Sequence, residues 1–149
     1  MPAKSKWPSV KVGVGKNALK PGEFLLGIKF QRPAKGTSDA YLRFIPRTEM
    51  DIAVVGAGVS LTLDANSVIS AARVSLGAVA ARVLLVPEAA QAIIGSRLDK
   101  PAQDRLEAAA RAACRPIDDK RGTTEFRIDV AAVLARRSAL IALDRARTH

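Results

Sequence analysis

The chain has 149 residues, 48% hydrophobic and 26% charged, enough for one soluble domain that buries most of the apolar surface of a two-layer fold. Aromatic residues make up only 4%, which argues against a surface built from stacking platforms. The net charge of +10 reads either as Arg-rich composition spread over solvated faces or as the footprint of an acidic partner.

Lysine without acid clusters only at the start, at Lys4, Lys6, Lys11, Lys16 and Lys20, with Trp7 among them. Residues 1–13 read as a basic flexible arm ahead of a domain over 14–149. That terminus has charge but no apolar core, so a secretory leader is not expected. No apolar run is long enough for a membrane span, and a cytoplasmic protein is the expectation. Cys114 is the single cysteine, so no intrachain disulfide or cysteine metal framework forms, and its helical setting suits a small buried hydrophobe.

After a Pro-Gly turn at Pro21 and Gly22, "EFLLGIKFQ" alternates: Phe24, Leu26, Ile28 and Phe30 share one face, Glu23, Leu25, Gly27, Lys29 and Gln31 the other. That period predicts a half-buried strand. A second strand is expected over 40–45, with Leu42 and Phe44 buried and Tyr41 and Arg43 opposite. The stretch 51–64, "DIAVVGAGVSLTLD", resembles the start of a dinucleotide-binding unit. The third glycine position holds Leu61, however, and Val55, Ala57, Val59, Leu61 and Leu63 alternate straight through Gly56 and Gly58. One strand therefore runs through the glycines, leaving a bare face where another backbone or a helix is expected to approach closely. "DANS" is the following turn, and a further strand spans 68–76.

Helical patterns then take over. "PEAAQAIIG" has the Pro start and Gly end of a short helix. In a second helix Ala102, Leu106, Ala109, Ala110 and Ala113 form one stripe. A long helix begins near Glu125, with Phe126, Val130, Val133, Leu134, Leu140 and Ile141 as its expected apolar stripe and Arg136, Arg145 and Arg147 toward its C-terminal half. Strands first and helices afterwards predict an α+β domain, an antiparallel sheet of three to four strands covered on one face by about three helices.

No self-contained active site emerges. His149 is the only histidine and stands last, which disfavours a His triad or His metal site. Asp118 and Asp119 read as loop caps or partners of Arg121. One pattern stands out: Leu25 on the first strand and Tyr41 and Arg43 on the second lie on the non-core faces, with Arg47 at the rim. This is either a solvated sheet face with a stray leucine or a patch for a flat, conjugated, partly anionic ligand.

The segments "GKNALKPGEFLLGI", "AYLRFIPRTEMDIAVVGAGVSLTLD", "ARVSLGAVAARVLLVPEAAQAIIG" and "PIDDKRGTTEFR" together resemble the C-terminal domain of the FAD-carrying medium subunit of molybdenum hydroxylases, the family of aerobic carbon monoxide dehydrogenase and xanthine dehydrogenase. The resemblance covers nearly everything from Gly13 onward. It implies part of an electron-transfer oxidoreductase, with FAD as cofactor. Leu25, Tyr41, Arg43, Arg47 and Asp51 would lie near the flavin and none of them would be catalytic. Arg43 stands where many relatives have Lys, and Phe126 where they have Tyr. The Gly-rich diphosphate loops of such subunits have no counterpart here, so the isolated chain is expected to bind FAD weakly or not at all. Its implied partners are the N-terminal FAD-binding portion or other subunits of the complex. A basic module contacting nucleic acid or an acidic protein is the alternative expectation, and an independent oxidoreductase is disfavoured.

Overall fold

The computed structural model describes residues 11–13, 16–30, 32–47 and 52–148. The chain divides into two compact units, Met1–Arg32 and Pro33–His149. In the first, β1 (Lys11–Gly13) pairs antiparallel with β2 (Lys16–Asn17). Lys20 and Glu23 then close a turn by a 3.0 Å backbone hydrogen bond, with Gly22 at φ +84° in the conformation glycine adopts most readily. Of the basic arm, residues 1–10 lie outside the described part, and Lys11–Gly13 form β1.

The second unit carries a four-stranded antiparallel sheet in the order β3-β4-β5-β6, made of Thr37–Phe44, Val55–Leu63, Ile69–Gly77 and Leu84–Leu85. β4 runs unbroken through Gly56 and Gly58, as its alternation requires. Val55, Ala57, Val59 and Leu61 are buried on one face. The turn after β4 is built by Asp64, whose carboxylate accepts the backbone N–H groups of Asn66 at 2.8 Å and Val68 at 2.9 Å. The expected α+β architecture forms, but its fourth strand is Leu84–Leu85. Residues 24–30, read as the first strand of the sheet, form no strand. Alternation marks which side chains share a face and is silent on whether a neighbouring strand exists to supply the hydrogen bonds.

Helix α1 (Pro87–Gln91) is short, and the chain turns at Gly95, φ +81°, whose N–H donates to Ile69 of β5 at 2.8 Å. Helix α2 (Lys100–Ala113) is capped by Asp99, whose carboxylate accepts the N–H of Ala102 at 3.2 Å. Its Ala102, Leu106 and Ala110 are fully buried, as the stripe predicts. Helix α3 (Thr124–Thr148) lies on β3 and β4 and against α2. Arg136 reaches Glu107 of α2 at 2.6 Å, and Arg111 of α2 pairs with Asp129 of α3.

The buried face of α3 shares only Leu134 with the expected stripe. It consists mainly of small residues, Ala131, Ala135, Ser138, Ala139, Ala142 and Ala146, with Arg127, Leu134 and Leu143. Phe126 is 41% exposed, and Val130, Leu140 and Ile141 are only partly buried at the margin of the core. Small side chains let the helix backbone approach the sheet, so bulk is not what marks this contact. Ser138 shows the closeness: its hydroxyl donates to the carbonyl of Ala57 in β4 at 3.1 Å. Among the described residues, no helix is long and apolar enough to cross a membrane.

Candidate functional site: the open face of the sheet

Because Ala40 and Leu42 turn toward the helices, Tyr41 and Arg43 must project from the opposite face of β3. In the register, Tyr41 sits opposite Gly58 and Arg43 opposite Gly56. The neighbouring strand continues the rows with Ser75 and Gly77. On β4 and β5 these two rows thus carry only glycines and Ser75, and Leu85 of β6 ends the Tyr41 row.

The phenol of Tyr41 fills that low ground. A methyl group placed on Gly56 would come within 2.5 Å of the Tyr41 oxygen and 3.2 Å of its ring carbons, and one on Gly58 within 3.6 Å of the ring. The ring therefore lies diagonally across bare β4 backbone, a cross-strand cover for glycines in a sheet. Its outer side stays open, since Tyr41 is 63% exposed. The hydroxyl of Ser75 donates to the Gly58 carbonyl at 3.3 Å and supports the same floor. The sequence led to an expectation of another backbone or a helix close to these glycines. What approaches is a side chain of the adjacent strand.

Of the residues singled out from sequence, Tyr41 and Arg43 stand together on this face, turned away from the helical layer. Arg47 is exposed in the bend that follows β3. Leu25, 52% exposed, belongs to the other unit, on a segment without strand structure. Asp51 lies outside the described residues.

A second feature escaped the sequence reading. Arg127, on the first turn of α3, is 5% exposed. Its guanidinium donates to the carbonyl of Val54 at 2.8 Å, to Asp119 at 2.5 Å and to the carbonyl of Gly122 at 3.4 Å. It thereby pins the loop between α2 and α3 to the start of β4. Asp118 accepts the N–H of Thr124 at the start of α3, and Asp119 also accepts the N–H of Arg121 at 2.7 Å, so both carboxylates act as loop caps and partners. The Arg121 N–H and then the Arg127 guanidinium hold the Asp119 carboxyl below the usual carboxylate range. A cavity of about 460 Å3 borders this network, lined by Ile52, Ala78, Arg115, Ile117 and Arg121 among others. The available signal was an arginine on the sheet-facing side of a helix, eight residues after an aspartate.

Phe126 of the same turn packs edge-on against Phe44, ring centroids 5.6 Å apart, so the position read as lacking a tyrosine hydroxyl serves packing. Cys114 is buried, its thiol donates to the Ala110 carbonyl at 3.1 Å, and burial pushes its pKa up. Among the described residues no three His, Cys, Asp or Glu side chains gather to hold a metal. The open face offers an aromatic plane and, beside it on the same strand, a guanidinium.

Comparison with known proteins places this fold. Residues 40–142 match the CO dehydrogenase flavoprotein C-terminal domain, and the chain belongs to that family. It is similar to the carbon monoxide dehydrogenase medium chain of Afipia carboxidovorans, 36% identical over 130 residues that make up 87% of this chain and 44% of that one. Reconstituted CO dehydrogenase from Oligotropha carboxidovorans superposes with a TM-score of 0.83 at 34% identity, over 92% of this chain and 47% of that chain. Carbon monoxide dehydrogenase from Hydrogenophaga pseudoflava gives a TM-score of 0.83 at 27% identity over the same 92% and 47%. The chain thus spans less than half the length of these relatives.

Proposed function

We propose that this chain acts as the C-terminal domain of a molybdenum-hydroxylase FAD subunit, closing one side of the flavin pocket and performing no bond chemistry of its own. The observation that carries this reading is the placement of Tyr41 and Arg43 side by side on the sheet face turned away from the helices. The open side of the Tyr41 ring suits apolar contact with a flat conjugated system, and the Arg43 guanidinium suits its polar oxygens or a nearby phosphate. Resemblance to the family assigns Leu25, Arg47 and Asp51 roles near the flavin as well. FAD, when bound, supplies the redox chemistry, and the protein supplies contact and charge.

The face fits part of such a cofactor. It lacks the Gly-rich loops whose backbone N–H groups would hold a diphosphate, so a complementary N-terminal portion has to provide them. The test is a fluorescence titration of FAD with the purified chain, alone and mixed with the N-terminal portion of the Afipia carboxidovorans medium chain. Weak or undetectable binding alone and clear binding in the mixture are expected, with Tyr41→Ala and Arg43→Gln each weakening the latter. Tight binding by the chain alone, or a mixture indifferent to both substitutions, would overturn the proposal.

A further inference from the structure

Three stretches of chain wall the cavity of about 460 Å3 beside Arg127: residues 52–53 ahead of β4, 78–81 after β5 and 115–121 after α2. Hydrogen bonds tie these walls together. The N–H of Arg115 donates to the Val79 carbonyl at 2.7 Å, and the Arg127 guanidinium joins Asp119 to the Val54 carbonyl. Ala78 is held at φ +61°, in the left-handed region that residues other than glycine seldom occupy. The hollow is therefore built into the fold. Its volume lies within the range of about 300–1,000 Å3 common to small-molecule sites.

The lining combines two chemistries. Ile52, Ala80, Ala81, Pro116 and Ile117 give it apolar wall, and Ile52 and Ile117 are 65% and 74% exposed, apolar surface left to water. Against this stand three guanidiniums, of Arg115, Arg121 and Arg127, and the single carboxylate of Asp119. Arg127 spends its donors on Val54, Asp119 and Gly122. Arg115 uses only Nη1, on the carbonyls of Ala112 and Cys114, and its other donors have no partner among the described residues. The Arg121 side chain reaches Asp119 through one nitrogen at 3.5 Å, a marginal bond. Two guanidiniums therefore keep open donors beside an apolar wall. We infer that this cavity binds a small organic monocarboxylate, its carboxylate held by Arg115 and Arg121 and its apolar body laid against Ile52, Pro116 and Ile117. The guanidinium fork matches the two oxygens of a carboxylate. A bare inorganic anion would leave the apolar wall wet, and a neutral apolar molecule would leave the guanidiniums unanswered. Neither Tyr41 nor Arg43 lines the cavity, so the inference stands apart from the flavoprotein reading.

The experiment titrates the isotope-labelled full chain with hexanoate and follows amide chemical shifts by NMR, with hexanol, acetate and inorganic phosphate as comparisons. Saturable shifts confined to residues 52–53, 78–81 and 115–121 are expected, with hexanoate binding about tenfold or more tightly than any of the three comparisons. Arg115→Gln and Arg121→Gln should each weaken hexanoate by about tenfold or more while the amide pattern of β4 and α3 is preserved. Ala81→Trp, which puts a bulky ring on the cavity wall, should abolish binding with the same pattern preserved. Arg43→Gln should leave hexanoate binding unchanged. No saturable shift up to about 10 mM hexanoate, shifts centred elsewhere, equal binding of hexanol or phosphate, or indifference to both arginine substitutions would each overturn the inference.

Discussion

Replacing Arg127 by methionine tests the claim that a buried guanidinium holds the loop before α3 onto the sheet. Methionine keeps much of the aliphatic stem and removes every donor. The carbonyl of Val54 then loses its 2.8 Å partner, and because Val54 is fully buried, water has no access to replace it. Stranding a buried acceptor costs about 1–3 kcal/mol. The 3.4 Å contact to Gly122 is long and adds little. Asp119 keeps the Arg121 N–H and its side chain is 29% exposed, so its charge is not stranded in the interior. The net expectation is a loss of about 2 kcal/mol, which for a chain of this length lowers the melting temperature by about 4–8 °C. Urea unfolding with a common slope for both proteins, followed by circular dichroism, measures it. Arg127→Lys should recover only part, since one ammonium cannot span Val54 and Asp119 as the planar fork does. A loss below about 0.5 kcal/mol for Arg127→Met would refute the reasoning, since that is the spread of surface substitutions without a special role.

Asp119 gives a pH-dependent counterpart. Its folded carboxyl titrates below its unfolded value, so its contribution to stability is present above about pH 4 and is lost as pH falls through the lowered folded value. The stability gap between the natural chain and Asp119→Asn should hold steady near neutrality and close in acid, and a gap that stays constant down to the acid unfolding limit would sink the attribution. Gly56→Ala should push the Tyr41 ring off β4 at a cost of up to about 1 kcal/mol, because the ring is the yielding partner. Tyr41 is the single tyrosine, so its ring resonances and the ring-current shifts it imposes on Gly58 report the displacement directly, and unchanged shifts would count against the geometry.

Much of the fold was legible because side-chain period and burial coincide. β4 shows this most clearly, where alternation through Gly56 and Gly58 correctly excluded a phosphate loop. The stripe of α2 was equally plain, since Leu106 stands among alanines on one side. On α3 the same logic found Leu134 but missed most of the buried face. Phe126, Val130, Leu140 and Ile141 line the margin, while alanines and Ser138 make up most of the buried face, where backbone proximity matters more than side-chain bulk. Residues 24–30 carry a clear strand period, yet period does not reveal whether a pairing partner exists. Arg127 was missed because its partners, Val54 and Asp119, come from two segments that meet only in the folded chain. Within the candidate site, alternation sufficed to place Tyr41 and Arg43 on one face. It could not show that Tyr41 leans across to the next strand.

That lean gives one aromatic residue two duties that cannot be varied separately. Whatever meets the sheet at this point meets the open side of the phenol, and the peptide groups of β4 beneath are covered by the same ring. Trimming the ring to adjust recognition would open a narrow trench floored by backbone, and filling the trench from below would evict the ring. Change at Tyr41, Gly56 and Gly58 is therefore expected to be concerted, the three positions behaving as one unit of the surface.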